Sequence, residues 1–260
     1  MFLNFATISL IVTLLSFTAS VTAHPTAKAE PLRPVENPAF AGAILSDSDY
    51  EYVTSTFAIP DLHSTDPHSV QHLKALVGLH CLSTVSVFVS FEIPPNGTVK
   101  AMCVDYFLVI VTVSGADSWL EPISPEIYFN AGDVARISIE MKGTGYVATI
   151  ENLTKKTKAE TSGTPSSSGQ PAACLNNVRA AIWGIDESGD NPFVEFSSIE
   201  FYDTHARAAG GSTPVGPSGA TIYNITAANG AILTSTTITP STVTISYRSG
   251  YSDLSAELGY

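Results

Sequence analysis

The sequence predicts an all-β protein, and three observations carry that prediction. Short runs of β-branched and aromatic residues recur along most of the chain, punctuated by Gly, Pro, Asn, Asp and Ser. Several runs alternate with period two; in "ARISIEM" Ile137, Ile139 and Met141 fall on one face. No long amphipathic helical segment competes, so an antiparallel sandwich or barrel follows.

The chain opens with "MFLNFATISLIVTLLSFTASVTAHP", an apolar run ending in Val21-Thr22-Ala23. Residues 1–23 read as a secretory signal peptide, although the usual positive charge is missing from its start. A membrane anchor fits less well, because the run is short and breaks into serines and threonines. Residues 24–36, rich in Pro and Ala, read as a short pro-segment or leader. One domain over 37–247 then suffices, since all-β units of this size are routine.

Strand-like runs follow at 52–60, 74–80, 84–93, 98–113, 133–141, 145–153, 178–186, 196–203, 221–225 and 241–247. Residues 160–171 and 206–220 carry loop composition, and 248–260 reads as a loose tail. Beyond the leader no stretch could span a bilayer; "YFLVIVTV" has strand length.

The net charge of −12 and pI near 4.7 argue against nucleic acid or an anionic membrane as partner. The charge suits acidic surroundings, where protonated carboxylates relieve self-repulsion, and serves solubility equally well. A secreted, extracellular monomer is expected. Secretion permits disulfides, and Cys81, Cys103 and Cys174 leave one cysteine over. Sequons stand at Asn96, Asn152 and Asn224. Asn96 and Asn152 sit in turn-like sequence suited to a glycan, whereas Asn224 lies in strand-like "IYNIT".

Catalytic patterns are scarce. His63, His68, His72 and His80 cluster in polar sequence without an established zinc spacing, although His68 and His72 would share a face on a helix. No metal or cofactor is expected. No G-x-S-x-G elbow is present, and "DTH" at 203–205 reads as a strand end. Glu195 and Glu200 are an odd number apart, so a regular strand would point them to opposite sides. One residue stands out: Arg179 interrupts an apolar strand, which is costly without a partner.

Several segments, taken in order, resemble the eqolisins, the secreted fungal glutamic endopeptidases. They are "FAGAIL" (40–45), "ALVGLH" (75–80), "AGDVARISI" (131–139), "ATIENLTK" (148–155), "NPFVEFSSIEFYD" (191–203) and "GATIYNI" (219–225). The resemblance implies a lectin-like β-sandwich of two bent antiparallel sheets, with the substrate cleft on a concave face. It also implies acid-active, cofactor-free peptidases in which a glutamine and a glutamate on neighbouring strands activate water and hold the tetrahedral intermediate. That pairing is chemically sound: a carboxyl serves as base and then acid, while an amide stabilises the oxyanion.

The carry-over fails at the dyad. Ser86, in "VSVFVSF", stands where the family has its glutamine, and the only glutamines, Gln71 and Gln170, lie in polar loop-like sequence. The family's glutamate falls on Arg179 when counted from Cys174, or on Ile182 when aligned on Trp183; neither is an acid. Around the expected cleft, Phe40 and Leu76 replace tryptophans, His80 an aspartate, and Asp105 a glutamate. Arg179 then either faces the cleft beside Asp105 or Glu92, or lies on the outer face with its stem along apolar surface. The resemblance further implies a Cys81–Cys174 disulfide, with Cys103 a buried free thiol. The reading is a non-catalytic or binding homologue, with peptide or an anionic glycan in the cleft. Two alternatives stand beside it: an acid endopeptidase using a relocated carboxylate (Asp186, Glu187 or Asp105), and a carbohydrate-binding module.

Overall fold

The computed structural model describes residues 34–37, 39–66, 68–80, 83–95, 107–113, 116–123, 127–143, 145–163, 179–186, 194–227 and 229–248, with backbone alone for residue 83, for 107–113 and for 116–123. Residues 1–33, residues 249–260 of the tail, Cys81, Cys103, Cys174, Asn96, Asp105, Gln170 and Glu187 lie outside these residues. The end of the expected leader does not: Val35 and Glu36 pair with Tyr223 and Asn224 as an edge strand, so the domain begins before residue 37.

The strands are β1 (Val35–Asn37), β2 (Phe40–Leu45), β3 (Tyr50–Ala58), β4 (Leu62–His63), β5 (Gln71–His80) and β6 (Ser83–Ile93). They continue with β7 (Phe107–Val113), β8 (Ala116–Ile123), β9 (Val134–Lys142), β10 (Gly145–Asn152), β11 (Thr157–Gly163) and β12 (Ala180–Asp186). The last are β13 (Glu195–Phe196), β14 (Ser198–Ala208), β15 (Pro214–Val215), β16 (Thr221–Ile225), β17 (Thr234–Ile238) and β18 (Val243–Tyr247).

Two large sheets form the sandwich. The first runs β1-β16-β2-β12-β5-β6-β7-β8; the second runs β11-β10-β9-β3-β14-β18-β17, with β15 added on β14. Both are antiparallel except for the β1–β16 pair, which is parallel and departs from the expected all-antiparallel pattern.

The alternation read from sequence decides which faces meet. Ala181, Trp183 and Ile185 of β12, Leu73, Ala75, Val77 and Leu79 of β5, and Val85, Val87 and Val89 of β6 point inward. They meet Val53 and Phe57 of β3, Ile137 and Ile139 of β9, and Phe201 of β14. Trp183 is fully buried, and its indole N–H donates to the Thr54 carbonyl across the sheets at 3.0 Å, so the large ring leaves no orphan donor.

Several sequence expectations need correction. Residues 160–163 and 206–208 continue strands, and 214–215 forms one, because their backbones find ladder partners despite turn-like composition. His72 and His80 are on β5 and His63 is on β4, so the histidines share neither a helix nor one loop. Among the described residues no group of three or more metal-ligating side chains converges. Gln71 opens β5 fully buried; Thr65 N–H donates to its carbonyl at 2.8 Å, and its amide donates to Thr65 Oγ1 at 2.7 Å. Glu195 and Glu200 belong to different strands separated at Ser197, and both are exposed rather than opposed.

The sequon at Asn152 is also corrected. Its side chain is fully buried, donating to the Tyr128 carbonyl and to Asp133 Oδ2, each at 2.9 Å, and accepting from Lys155 N–H. Burial alone would raise the Asp133 carboxyl, but hydrogen bonds from Asn130 N–H, Asn152 and Lys155 bring it below its usual value. The "AGD" and "ENLTK" motifs therefore clasp β9 to β10. Asn224 is buried too, accepting from Thr236 N–H at 2.8 Å. A glycan on either amide nitrogen has no room in the fold. An Asn96→Gln variant secreted from a eukaryotic host should show an intact mass that glycosidase leaves unchanged; residual glycan at Asn152 would contradict the buried clasp.

Candidate functional site

On the outer face of the first sheet, residues of one parity form four rungs. Phe40, Asp186, Lys74 and Ser90 stand opposite one another in turn, then Gly42, Gly184, Leu76 and Phe88. The third rung is Ile44, Ile182, Gly78 and Ser86, and the fourth Ala180, His80 and Thr84. Leu76, Phe88 and Ile182 are more than nine-tenths buried and pack together, with Phe40 and Ile44 against them.

Two glycines make this surface possible. Gly42 and Gly184 face each other across β2 and β12, and the Phe40 ring lies over both: a Cβ on Gly184 would stand 2.6 Å from Phe40 Cε2. Tyr223 meets Phe40 edge-on with ring centroids 5.8 Å apart. Phe40 and Leu76, expected from sequence as cleft residues, are thus brought together on one apolar floor. Sequence reasoning missed Phe88; it shares the parity of Ser86 and Ser90 in "SVFVS", and an aromatic ring in that otherwise polar row was the signal.

Polar groups rim the floor. The Lys74 ammonium sits 5.2 Å from the Phe88 ring centre. Burial pushes the Asp186 carboxyl above its ordinary value, and Lys74 only partly offsets this. His80 is exposed at the rim, shares a 2.6 Å hydrogen bond with Thr84 Oγ1, and is held below its usual pKa by desolvation.

Arg179 does not belong to this face. It shares the parity of inward-facing Ala181 and Trp183 and reaches the other side of the sandwich, where Asp49 takes it bidentately. Nε donates to Asp49 Oδ1 at 2.8 Å and Nη2 to Oδ2 at 3.0 Å. Its backbone N–H donates to the same carboxylate, and Tyr50 N–H donates to its carbonyl. The expected partner Glu92 is replaced by Asp49, and the arginine is a structural pin between the residues that lead into β3 and β12. Sequence could not reveal this, because 130 residues separate the pair.

Arg179 lowers the Asp49 pKa, chiefly through the side-chain hydrogen bond, against a smaller opposing effect of burial. A depressed folded-state carboxyl stabilises fully above the unfolded aspartate pKa of about 3.9, and the contribution fades as pH falls through the lowered value. Asp49 is 39% exposed, so solvent screening limits the gain. Arg179→Ala should cost about 1–2 kcal/mol at pH 6. Denaturant unfolding should show the gap to the parent closing only below pH ~4; a gap independent of pH would contradict the pairing.

The third rung bears on the dyad. Ser86 and Ile182 flank Gly78 on adjoining strands, and both are buried, at 6% and 7% exposure. Neither is an acid or an amide. Gln71 has the inward parity and is consumed by Thr65, so it cannot substitute.

The comparisons agree with this architecture. The sequence model of the Peptidase A4 family matches residues 38–247. Aspergillopepsin-2 of Aspergillus niger is 35% identical over 128 residues, which cover 47% of this chain but only 42% of that protein. A crystal structure of scytalido-glutamic peptidase with a peptide-based transition-state analogue superposes with a TM-score of 0.60 at 22% identity, covering 82% of this chain and 99% of that one. SCP-B, an eqolisin-family peptidase in complex with the tripeptide Ala-Ile-His, superposes at 0.58 with 23% identity over 82% and 99% of the two chains. At these identities the structural likeness shows the shared fold. Together with the match over 38–247, it establishes that the chain belongs to the Peptidase A4 family, the eqolisins.

Proposed function

We propose that this is a secreted eqolisin without dyad chemistry, which binds extended peptide on the outer face of the first sheet. The single observation that supports it is the Ser86–Gly78–Ile182 rung. Gly78 lies in the segment that resembles the family's valine-glycine motif, and its two neighbours fall where the resemblance puts glutamine and glutamate. This register favours Ile182 over Arg179 for the glutamate position, since Arg179 is pinned to Asp49. An aliphatic side chain cannot take a proton from water, and a serine hydroxyl is too short to replace an amide donor at the same backbone position.

The apolar floor of Phe40, Leu76, Phe88 and Ile182 remains a surface on which apolar side chains of an extended peptide can be seated. The preference for anionic glycan that Arg179 would have supplied has no support on this face, where Lys74 lies beside Asp186. Calorimetric titration with Ala-Ile-His and with apolar hexapeptides tests the reading. Binding should weaken about tenfold in Phe40→Ala; absence of binding by any peptide would overturn it.

One observation favours a second reading, an acid endopeptidase built on Asp186, whose raised carboxyl pKa suits a proton-transfer group. Against it, Asp186 lies four residues along β12 from Ile182, about 13 Å at strand rise, and its neighbour across the ladder is a lysine rather than an amide.

A further inference from the structure

The second sheet carries a cavity of about 510 Å³ on its own outer face, in the size range of small-molecule sites. Thr54 and Thr56 form its floor, with Tyr52, Arg136, Asp203 and His205 around them. Pro240 and Ser241 wall one side, and Thr204 N–H donates to the Ser241 carbonyl at 3.0 Å, tethering that wall to β14. Gly216 seals it: a Cβ there would lie 1.7 Å from the Pro240 carbonyl oxygen.

The cavity is shaped by a β-bulge. Tyr202 stands opposite Thr56 and His205 opposite Thr54, so β14 advances three residues where β3 advances two. Asp203 takes up the extra residue with φ of 51°, in the left-handed region that few non-glycine residues occupy. The bulge turns the "DTH" run, which sequence suggested was only a strand end, into a lining of the cavity.

The hydrogen-bonding capacity there is mixed and partly unspent. Thr54 Oγ1 donates to the Ile137 carbonyl at 2.9 Å and keeps its lone pairs. Thr56 Oγ1 accepts from Arg136 Nε at 3.5 Å and keeps its proton. Arg136 also faces Glu151 at 3.5 Å, leaving further N–H donors. His205 Nδ1 is 3.0 Å from the Asp203 carbonyl, which fixes Nδ1–H and leaves Nε2 an acceptor when the ring is neutral. Asp203 supplies carboxylate oxygens. An anion would meet Asp203, and a cation would meet Arg136.

Beside these groups stands a rigid aromatic wall. Tyr52 lies 5.9 Å from the His205 ring and beneath the Arg207 guanidinium, which Glu51 and Glu140 hold at 3.2 and 2.7 Å. Alternating donors and acceptors next to a fixed ring match a neutral polyol, with vicinal hydroxyls on one side and a C–H face on the other. We propose that this cavity binds a neutral sugar ring, at a site separate from the peptide face of the first sheet.

The test is ligand-observed saturation-transfer NMR on the whole protein with glucose, mannose, galactose and N-acetylglucosamine at millimolar concentration. At least one sugar should receive saturation. Asp203→Asn, which keeps the size and tolerates the left-handed backbone, should lower its affinity about tenfold. Thr56→Val should weaken it as well, whereas Phe40→Ala should leave it unchanged. Saturation of none of the four sugars would overturn the proposal. So would binding that survives both Asp203→Asn and Thr56→Val, or binding of acetate or phosphate in place of every sugar.

Discussion

Gly184→Ala should destabilise the protein by about 3 kcal/mol and lower Tm by roughly 6–12 °C. A glycine inside a strand is ordinarily a weakness, and alanine there would be expected to help. Here the sign reverses. The added Cβ would stand 2.3 Å from the Ala41 carbonyl oxygen and within 2.7 Å of two Phe40 ring atoms. The ring could swing away, but the carbonyl belongs to the β2 backbone paired with β12 and cannot move without opening the ladder. Phe40 would also lose its seat, so peptide binding should fall with stability. Gly78→Ala is the internal control: its nearest contacts, 3.1 Å to Ser86 Cβ and 3.2 Å to the Val85 carbonyl oxygen, ask only a small shift, about 1 kcal/mol. Thermal unfolding decides it, and a Gly184→Ala melting point within about 2 °C of the parent would contradict the packing of Phe40 on β12.

The sandwich was legible because its signal is local. Alternation in "ARISIEM" and the apolar parity of "AAIWGID" need only neighbouring residues, and both reappear as inward-facing rows. Short or polar strands were not legible: "TKAETSG" is strand only because β10 offers it a ladder, and "TSTTI" only because β18 does. The parallel β1–β16 pair joins segments nearly 190 residues apart and leaves no local trace.

At the site, Phe40, Leu76, Ser86 and Ile182 could be picked out by counting along family-like motifs, and the ladder does align Ser86 and Ile182 on either side of Gly78. Counting from Cys174 misplaces Arg179 because it ignores parity. One residue of slip moves a side chain to the other face of a sheet, and three residues separate Arg179 from Ile182. The sequon at Asn152 misleads for a related reason. A turn-like sequon says nothing about whether the asparagine itself is needed inside, and here Tyr128 and Asp133 claim it. The cavity on the second sheet depends on a bulge and on two loops meeting, neither of which composition encodes.

Acid proteolysis of denatured haemoglobin by the purified protein at pH 2 to 4 is the decisive measurement of whether dyad chemistry is absent. Loss of an oxyanion donor costs about 10²–10³-fold and loss of the general base about 10²–10⁴-fold. The account therefore predicts no turnover above that of a mock preparation, and the same null result for Asp186→Asn. Turnover that co-purifies with the protein and disappears in Asp186→Asn would contradict the account and establish the relocated carboxylate in its place.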